Sequence, residues 1–157
     1  MNNFILDQLN FIRRQTINYV KDMSDNKVQV IPTGLNNNII WNLGHIYVVL
    51  EKFAFQLSEE PTKYPVNMNK LFDPGTQPST WDMEAPTISQ IVYLLSEQME
   101  RIELTLPDKM KNEIPTPYKS STGLTFNTVE QLMGFCIYHE AMHFAVIKNI
   151  NALTNNK

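Results

Sequence analysis

The chain of 157 residues contains 43% hydrophobic and 18% charged residues, and its 13 basic and 16 acidic side chains give a net charge of −3. This length is typical of a single domain, and the composition excludes an intrinsically disordered chain. The mildly acidic balance does not favour a general nucleic-acid-binding protein, which normally has a basic face. No apolar run approaches the ~20 residues of a membrane-spanning helix, and the N-terminus lacks a signal-peptide pattern. We therefore expect one soluble, cytoplasmic domain over residues 1–157, without a nucleic-acid or membrane partner.

Proline-free stretches with apolar residues at helical spacing predict four helices, because proline is costly inside a helix. The predicted helices cover residues 3–22, 37–58, 87–106 and 128–150. The fourth begins at Thr128 with Gln131 three residues later, which is a capping-box pattern. Within the second, Gly44 costs about 1 kcal/mol relative to alanine and therefore indicates close packing against a neighbour.

Two proline-containing connections separate the later helices, at 60–85 and 107–127. The first is too long for a tight turn, so we expect it to cross the end of a helical bundle or to wrap its side. No segment has a convincing strand alternation. The sequence thus predicts an all-α fold, a four-helix bundle with a long crossover between helices 2 and 3.

The placement of the three histidines is the most informative feature of the sequence. His139 and His143 stand four residues apart, so that both imidazoles lie on one helix face. His45 lies on the second helix, which a long crossover can place beside the fourth. A lone histidine is more often a hydrogen-bonded core residue, but this pair plus the only other histidine favours a shared metal ion. Three neutral imidazoles with an open position suit a divalent transition metal such as zinc or nickel.

Residues 139–143 also match H-E-x-x-H, the motif in which two histidines of a metalloprotease bind zinc and the glutamate is the general base. Zincins take their third ligand downstream, and residues 144–157 contain no His, Asp, Glu or Cys. A peptidase is therefore disfavoured. Glu140 is rotated by ~100° from His139, so it is a weak catalytic candidate that fits a solvated surface residue equally well.

The sequence resembles the DinB-like superfamily of metal-binding four-helix bundles. The resemblance lies in the segment Asn42-Leu43-Gly44-His45, in the His139-to-His143 motif and in the helix entry that begins at Thr125. With the length, helix order and long second connection, it covers nearly the whole chain. It implies that His45, His139 and His143 hold a divalent metal, and that two chains form a homodimer.

The resemblance also implies an activity, because characterised relatives are thiol S-transferases that use bacillithiol, mycothiol or glutathione, and a mycothiol-dependent maleylpyruvate isomerase. We expect a metal-dependent transferase with a small-molecule substrate, and the Asn- and Lys-rich composition is compatible with bacillithiol as the thiol. One alternative is a hydrolase in which Glu140 or metal-bound water is the base. Another is a metal- and ligand-binding bundle without catalysis.

Four further side chains are pocket candidates by their positions near the histidines: Trp41, Asn42, Cys136 and Met142. Aromatic residues and methionines at helical spacing are usually core residues, and a free cysteine is commonly buried. Trp81 in the long connection either covers the mouth of a pocket or anchors the loop. Six charged residues are expected on ordinary solvated helix faces: Glu51, Lys52, Glu97, Glu100, Arg101 and Glu103.

Overall fold

A computed structural model describes residues 3–155 of the chain. Within this part the chain is mostly helical, with four long helices, which are α1 (Phe4–Val20), α3 (Ile39–Glu51), α5 (Ile88–Thr105) and α6 (Val129–Asn155). They correspond to the four predicted helices. Two short helices, α2 (Asp25–Val28) and α4 (Met68–Phe72), were not predicted. The end of α3 continues as a π-helical turn over Lys52–Gln56.

Side chains cap the starts of these helices. The side chain of Asn38 accepts a hydrogen bond from the backbone N–H of Trp41 at 2.8 Å and so begins α3. Thr87 and Gln90 form a reciprocal capping box at the start of α5. At α6, Thr128 accepts from the backbone of Gln131 at 3.4 Å, but the Gln131 side chain accepts from Asn127 rather than Thr128. One of the two hydrogen bonds of the predicted capping box is therefore present, and the other is made to Asn127 instead of Thr128.

The four long helices form a ring in which α1 and α3 each contact both α5 and α6. The long connection before α5 contains α4, which packs against α3. At this contact a Cβ added to Gly44 would overlap the aromatic ring of Phe72. The close packing predicted from the glycine is thereby confirmed, and α4 is held tightly against the helix that contains His45.

A two-stranded antiparallel hairpin precedes α6, formed by β1 (Glu113–Lys119) and β2 (Thr125–Thr128). The expectation that no segment forms a strand was wrong. Apolar alternation is weak here because only Ile114 in β1 and Phe126 in β2 are buried. The pairing is also irregular between Glu113 and Tyr118, a segment with two prolines, which cannot donate to a strand ladder.

Buried apolar side chains form two clusters, one at each end of the helical ring. The first joins α3, α4, the start of α5 and the end of α6. The second joins α1, the π-helical turn, the hairpin and the first half of α6. No helix among residues 3–155 is long and apolar enough to cross a membrane.

Candidate metal centre

The three histidines come together between α3 and α6. One imidazole nitrogen from each of His45, His139 and His143 lies within 4.8 Å of the other two. The ring centroids are 5.1 Å apart for His45 and His139, 4.9 Å for His45 and His143, and 4.5 Å for His139 and His143. The three histidines that were predicted from the sequence to lie together therefore form one cluster between these two helices.

Hydrogen bonds set the orientation of two of the rings. Nδ1 of His45 lies 2.7 Å from the backbone oxygen of Phe72, and because a carbonyl only accepts, Nδ1 carries the proton. Nδ1 of His143 lies 2.8 Å from Oδ1 of Asn42. The Asn42 amide is itself oriented, since its Nδ2 donates to the backbone oxygen of Asn38 at 2.7 Å. Both histidines therefore keep Nε2 unprotonated, which is the form that binds a metal.

Burial keeps the three imidazoles neutral. It lowers the pKa of His139 to about 3, with further lowering from the positive charges that His143 and His45 would carry. Burial is the main cause that lowers the pKa of His143 to about 4, and the positive charge that His45 would carry lowers it further. Burial also lowers the pKa of His45. The hydrogen bond to Phe72 and the charge of Asp73 raise this pKa, but by less than burial lowers it. At neutral pH the cluster is therefore uncharged and competent to bind a cation.

The donor set fits a divalent transition metal. Three neutral imidazoles are the protein ligands of one familiar class of catalytic zinc site, and nickel accepts the same ligands. Each histidine is 7–9% exposed, so an edge of the cluster reaches the surface. Among residues 3–155 no carboxylate or thiol joins the cluster.

A model of the DinB superfamily matches residues 8–147, which include the whole cluster. The chain belongs to the DinB superfamily. Its fold is also similar to a crystal structure described as the conserved protein of locus from Enterococcus faecalis, with a TM-score of 0.60 and 13% sequence identity. That likeness covers 98% of this chain and 96% of the other and shows the fold alone. No curated protein matches the sequence.

Aromatic side chains enclose the cluster of this DinB-superfamily chain. The indole of Trp41 stacks on His45 with ring centroids 4.7 Å apart, and its Nε1 donates to the Thr76 hydroxyl at 2.9 Å. On the other side, Phe135 lies 6.2 Å from the His139 ring. Met142 directly precedes His143 on α6, and its side chain is exposed. Trp41 and Asn42 therefore contact the histidines directly.

Cys136, one helical turn before His139, lies in the second apolar cluster. Its thiol is buried, and burial, with the Glu140 charge, raises the pKa of the thiol well above its usual range. A thiol with a raised pKa is a poor nucleophile and a poor ligand. The structure places Cys136 among core residues rather than in the histidine cluster.

Glu140 is buried, with 1% of its surface exposed, so the solvated alternative was wrong. Its carboxylate accepts three hydrogen bonds from Arg13, from Nε at 2.9 and 3.1 Å and from Nη2 at 3.0 Å. Arg13 also donates to the backbone oxygen of Leu95 at 2.8 Å. Glu140 thus joins α6 to α1 and α5 through one buried guanidinium.

This ion pair continues into a second one. Arg13 donates to Oε1 of Gln98, and Nε2 of Gln98 donates to Glu51 at 2.9 Å. Glu51 is fully buried and pairs with Arg101 at 2.9 Å. The expectation of a solvated position was wrong for Glu51, because helical periodicity does not show that the long connection covers it, whereas Arg101 is partly exposed.

Three residues of the long connection support the centre, and of these only Trp81 was considered from the sequence, as a cover for a pocket or an anchor for the loop. Phe72 supplies the carbonyl for His45, and Thr76 accepts from Trp41. Trp81 donates to the backbone oxygen of Leu71 at 3.0 Å and packs its edge on Phe72, so it anchors the loop. The carbonyl contact had no sequence signal, because every residue has a carbonyl; Gly44 was the one indication that a segment docks here.

Proposed function

We propose that this chain is a divalent-metal-binding four-helix bundle that acts as a metal-dependent thiol S-transferase. His45, His139 and His143 would hold a zinc or nickel ion. The observation that carries the proposal is the convergence of three neutral imidazoles, two of which have Nδ1 occupied and Nε2 free. Membership of the DinB superfamily supports the metal.

A bound divalent metal would supply Lewis acidity, which lowers the pKa of a thiol and favours the nucleophilic thiolate at neutral pH. The chain's own residues keep the imidazoles oriented, through Asn42 and Phe72. Trp41 and Phe135 form apolar walls, which exclude water and suit an electrophilic second substrate. We propose a low-molecular-weight thiol such as bacillithiol as the cofactor.

The surroundings of Glu140 favour this transferase over a hydrolase that uses Glu140 as its base. A general base must reach the proton that it removes. Both oxygens of Glu140 accept hydrogen bonds from Arg13, and the residue is closed to solvent. We propose a structural role for Glu140, while the non-catalytic binding protein remains an outcome that the activity test separates.

Elemental analysis of the purified protein tests the metal centre, with His45→Ala as the variant and Asn36→Ala, an exposed loop position, as the control. We expect about one zinc or nickel ion per chain in the wild type and control. His45→Ala should retain its helical circular-dichroism spectrum and lose the metal. A full metal complement in this variant, or no metal in the wild type after incubation with zinc and nickel, would contradict the assignment.

The activity is tested with bacillithiol and the electrophile 1-chloro-2,4-dinitrobenzene, followed by absorbance of the thioether product. A transferase gives product only with thiol and metal together. Hydrolysis of p-nitrophenyl acetate without thiol would instead support the hydrolase. Stoichiometric metal with neither product would support the non-catalytic binding protein.

One face of α6 supports the proposed homodimer. Tyr138, Met142 and Val146 are exposed along it at intervals of four residues, and all exposed positions between 134 and 146 are uncharged. Two identical uncharged faces can pack without like-charge repulsion. Val146→Lys should shift a dimer to monomer in sedimentation velocity, whereas Leu104→Lys, an exposed apolar residue on α5, should not. A monomeric wild type, or a dimer unaffected by Val146→Lys, would contradict this interface.

A further inference from the structure

A polar groove of about 290 Å³ lies between the end of α3, the hairpin and the segment around the end of α4. Its polar lining consists of Lys52, Gln56, Tyr64, Asn69, Asp73 and Tyr118. A water occupies about 30 Å³, so this volume corresponds to roughly ten waters. The groove is therefore large enough for an amino-acid-sized group.

Two segments of chain connect the groove with the metal centre. Val49, in its lining, follows His45 by one helical turn, and Asp73 directly follows the residue whose carbonyl binds His45. Lys52 follows His45 by seven residues, about two helical turns, so the two positions share one side of α3. Lys52 also begins the π-helical turn, a distortion that is frequent at functional sites.

Two opposite charges line this groove without pairing. The Lys52 ammonium nitrogen lies 3.3 Å from the hydroxyl of Tyr118 and 4.9 Å from the centroid of its ring. In the part of the chain that the structure describes, neither Lys52 nor Asp73 forms an ion pair, and the Asp73 carboxylate accepts no hydrogen bond. By contrast, Lys63, Lys109 and Lys111 each pair with a glutamate.

On the basis of the thiol transfer proposed above, we propose that this groove binds the hydrophilic part of the thiol, which carries both a carboxylate and an ammonium group. Its carboxylate lies on Lys52 and its ammonium group on Asp73, while its sulfur reaches the histidine cluster. Separate, unpaired charges of both signs match a ligand that brings both counter-charges. Lys52 and Asp73 thus select among thiols.

Binding of two thiols to the cobalt(II)-loaded full-length protein tests this proposal, since thiolate ligation changes the cobalt absorption spectrum. Glutathione has an ammonium and carboxylates, whereas 2-mercaptoethanol has only the thiol and a hydroxyl. The variants are Lys52→Met and Asp73→Asn. Lys70→Met and Asp82→Asn, which alter exposed charges outside the groove, are the matched controls.

We expect Lys52→Met and Asp73→Asn each to weaken glutathione binding by about fivefold, the range of a partly exposed ion pair. Binding of 2-mercaptoethanol should stay within about twofold of wild type, as should both thiols in the two controls. Acetylation of the glutathione amino group should weaken wild-type binding and abolish the effect of Asp73→Asn. These results would support a zwitterion subsite.

Failure of this proposal is distinguishable from failure of the proposed function. If both thiols change the cobalt spectrum but the groove variants bind glutathione as tightly as wild type, the subsite is overturned and the thiol function stands. If neither thiol changes the spectrum of the loaded wild type, both are overturned. An equal loss for both thiols in a groove variant would indicate damage to the metal centre and would also overturn the subsite.

Discussion

Asn42 and His143 join α3 to α6 by a hydrogen bond of 2.8 Å between the amide oxygen and Nδ1 of the ring. The amide oxygen faces His143 because the amide nitrogen donates to the backbone oxygen of Asn38, the residue that caps α3. The orientation of a ligand on α6 is thus fixed from the first turn of another helix. Asn42 directly precedes Leu43-Gly44-His45, so one segment supplies both a ligand and the support of a second ligand.

Removal of this support should weaken metal binding without unfolding the chain. We expect Asn42→Ala to lower zinc affinity by about 10- to 100-fold, because the His143 ring loses the partner that fixes its tautomer and orientation. Competition with a chromophoric chelator measures the change. The control Asn36→Ala should match wild type. An Asn42→Ala protein with wild-type zinc affinity would show that His143 needs no such support.

Gly44 and Gly134 are a matched pair of glycines inside helices. A methyl group at Gly44 would overlap the Phe72 ring, whereas one at Gly134 meets nothing within 4 Å. Gly44→Ala should therefore destabilise the fold by about 1–2 kcal/mol, since overpacking outweighs the gain in helix propensity. Gly134→Ala should stabilise it by up to about 1 kcal/mol. Urea unfolding of both variants measures the signs, and equal effects would contradict the packing at Phe72.

Gly44→Ala should also weaken metal binding, because displacement of Phe72 moves the carbonyl that orients His45. Gly134→Ala should leave zinc affinity unchanged. Chelator competition on the same two proteins therefore separates a loss of stability alone from a loss of ligand orientation. A destabilised Gly44→Ala protein with wild-type affinity would show that the Phe72 carbonyl is dispensable.

The histidine cluster could be predicted from the sequence because it depends on local spacing and on the scarcity of histidine. The i, i+4 pair fixes one face of α6, and His45 was the only third imidazole. The position of Glu140 could not be predicted in this way. Periodicity shows that it is rotated from His139, but its burial depends on Arg13, 127 residues away on α1. Two residues so far apart along the chain produce no local pattern in the sequence that would predict their contact.

The hairpin was not predicted, and the long connection was predicted without the contacts of Phe72 and Thr76, for related reasons. In β1 only Ile114 is buried, so the alternation of a half-buried strand is too weak to recognise. In the connection, Phe72 acts through a backbone carbonyl, and Thr76 and Trp81 hold that segment in place. Phe72 and Thr76 act through tertiary contacts between the loop and α3, and such contacts cannot be predicted from helical periodicity.

The ion pair between Glu140 and Arg13 should stabilise the fold rather than take part in catalysis. Glu140→Gln leaves a buried guanidinium without its counter-charge, so we expect a loss of about 3–5 kcal/mol in the free energy of unfolding. Replacement of the whole pair by Arg13→Met with Glu140→Leu should recover much of that loss, because no buried charge remains. Urea denaturation measures all three proteins.

The control for this prediction lies on the same helix. Glu130 pairs with Lys111 at the surface, so Glu130→Gln should change the free energy of unfolding by less than about 1 kcal/mol. A Glu140→Gln protein of wild-type stability that has lost transferase or hydrolase turnover at full metal content would contradict the structural role and restore Glu140 as a catalytic candidate.

The lowered pKa values of the histidines predict how stability and metal binding depend on pH. At an ordinary imidazole, with a pKa near 6.5, protons would compete with the metal and weaken its binding below that pH. Burial lowers the pKa of His139 to about 3 and that of His143 to about 4. We therefore expect zinc to stay bound at pH 5 and to be released below about pH 4, as followed by elemental analysis after rapid desalting. Release complete by about pH 6 would contradict burial of the rings.

The same pKa shifts predict that the metal-free protein loses stability in acid. This loss begins near pH 6.5, well above the pH at which we expect the metal to be released. In the unfolded chain these histidines take up protons below about pH 6.5, whereas the folded chain does so only near pH 3–4. Because the unfolded state binds more protons in this window, the free energy of unfolding falls as pH decreases through it. Between pH 6.5 and pH 5 we expect His139 to contribute a loss of roughly 2 kcal/mol. Thermal unfolding should show a larger loss of stability with falling pH for metal-free wild type than for His139→Gln, which cannot titrate there. Parallel curves would exclude His139 as the source.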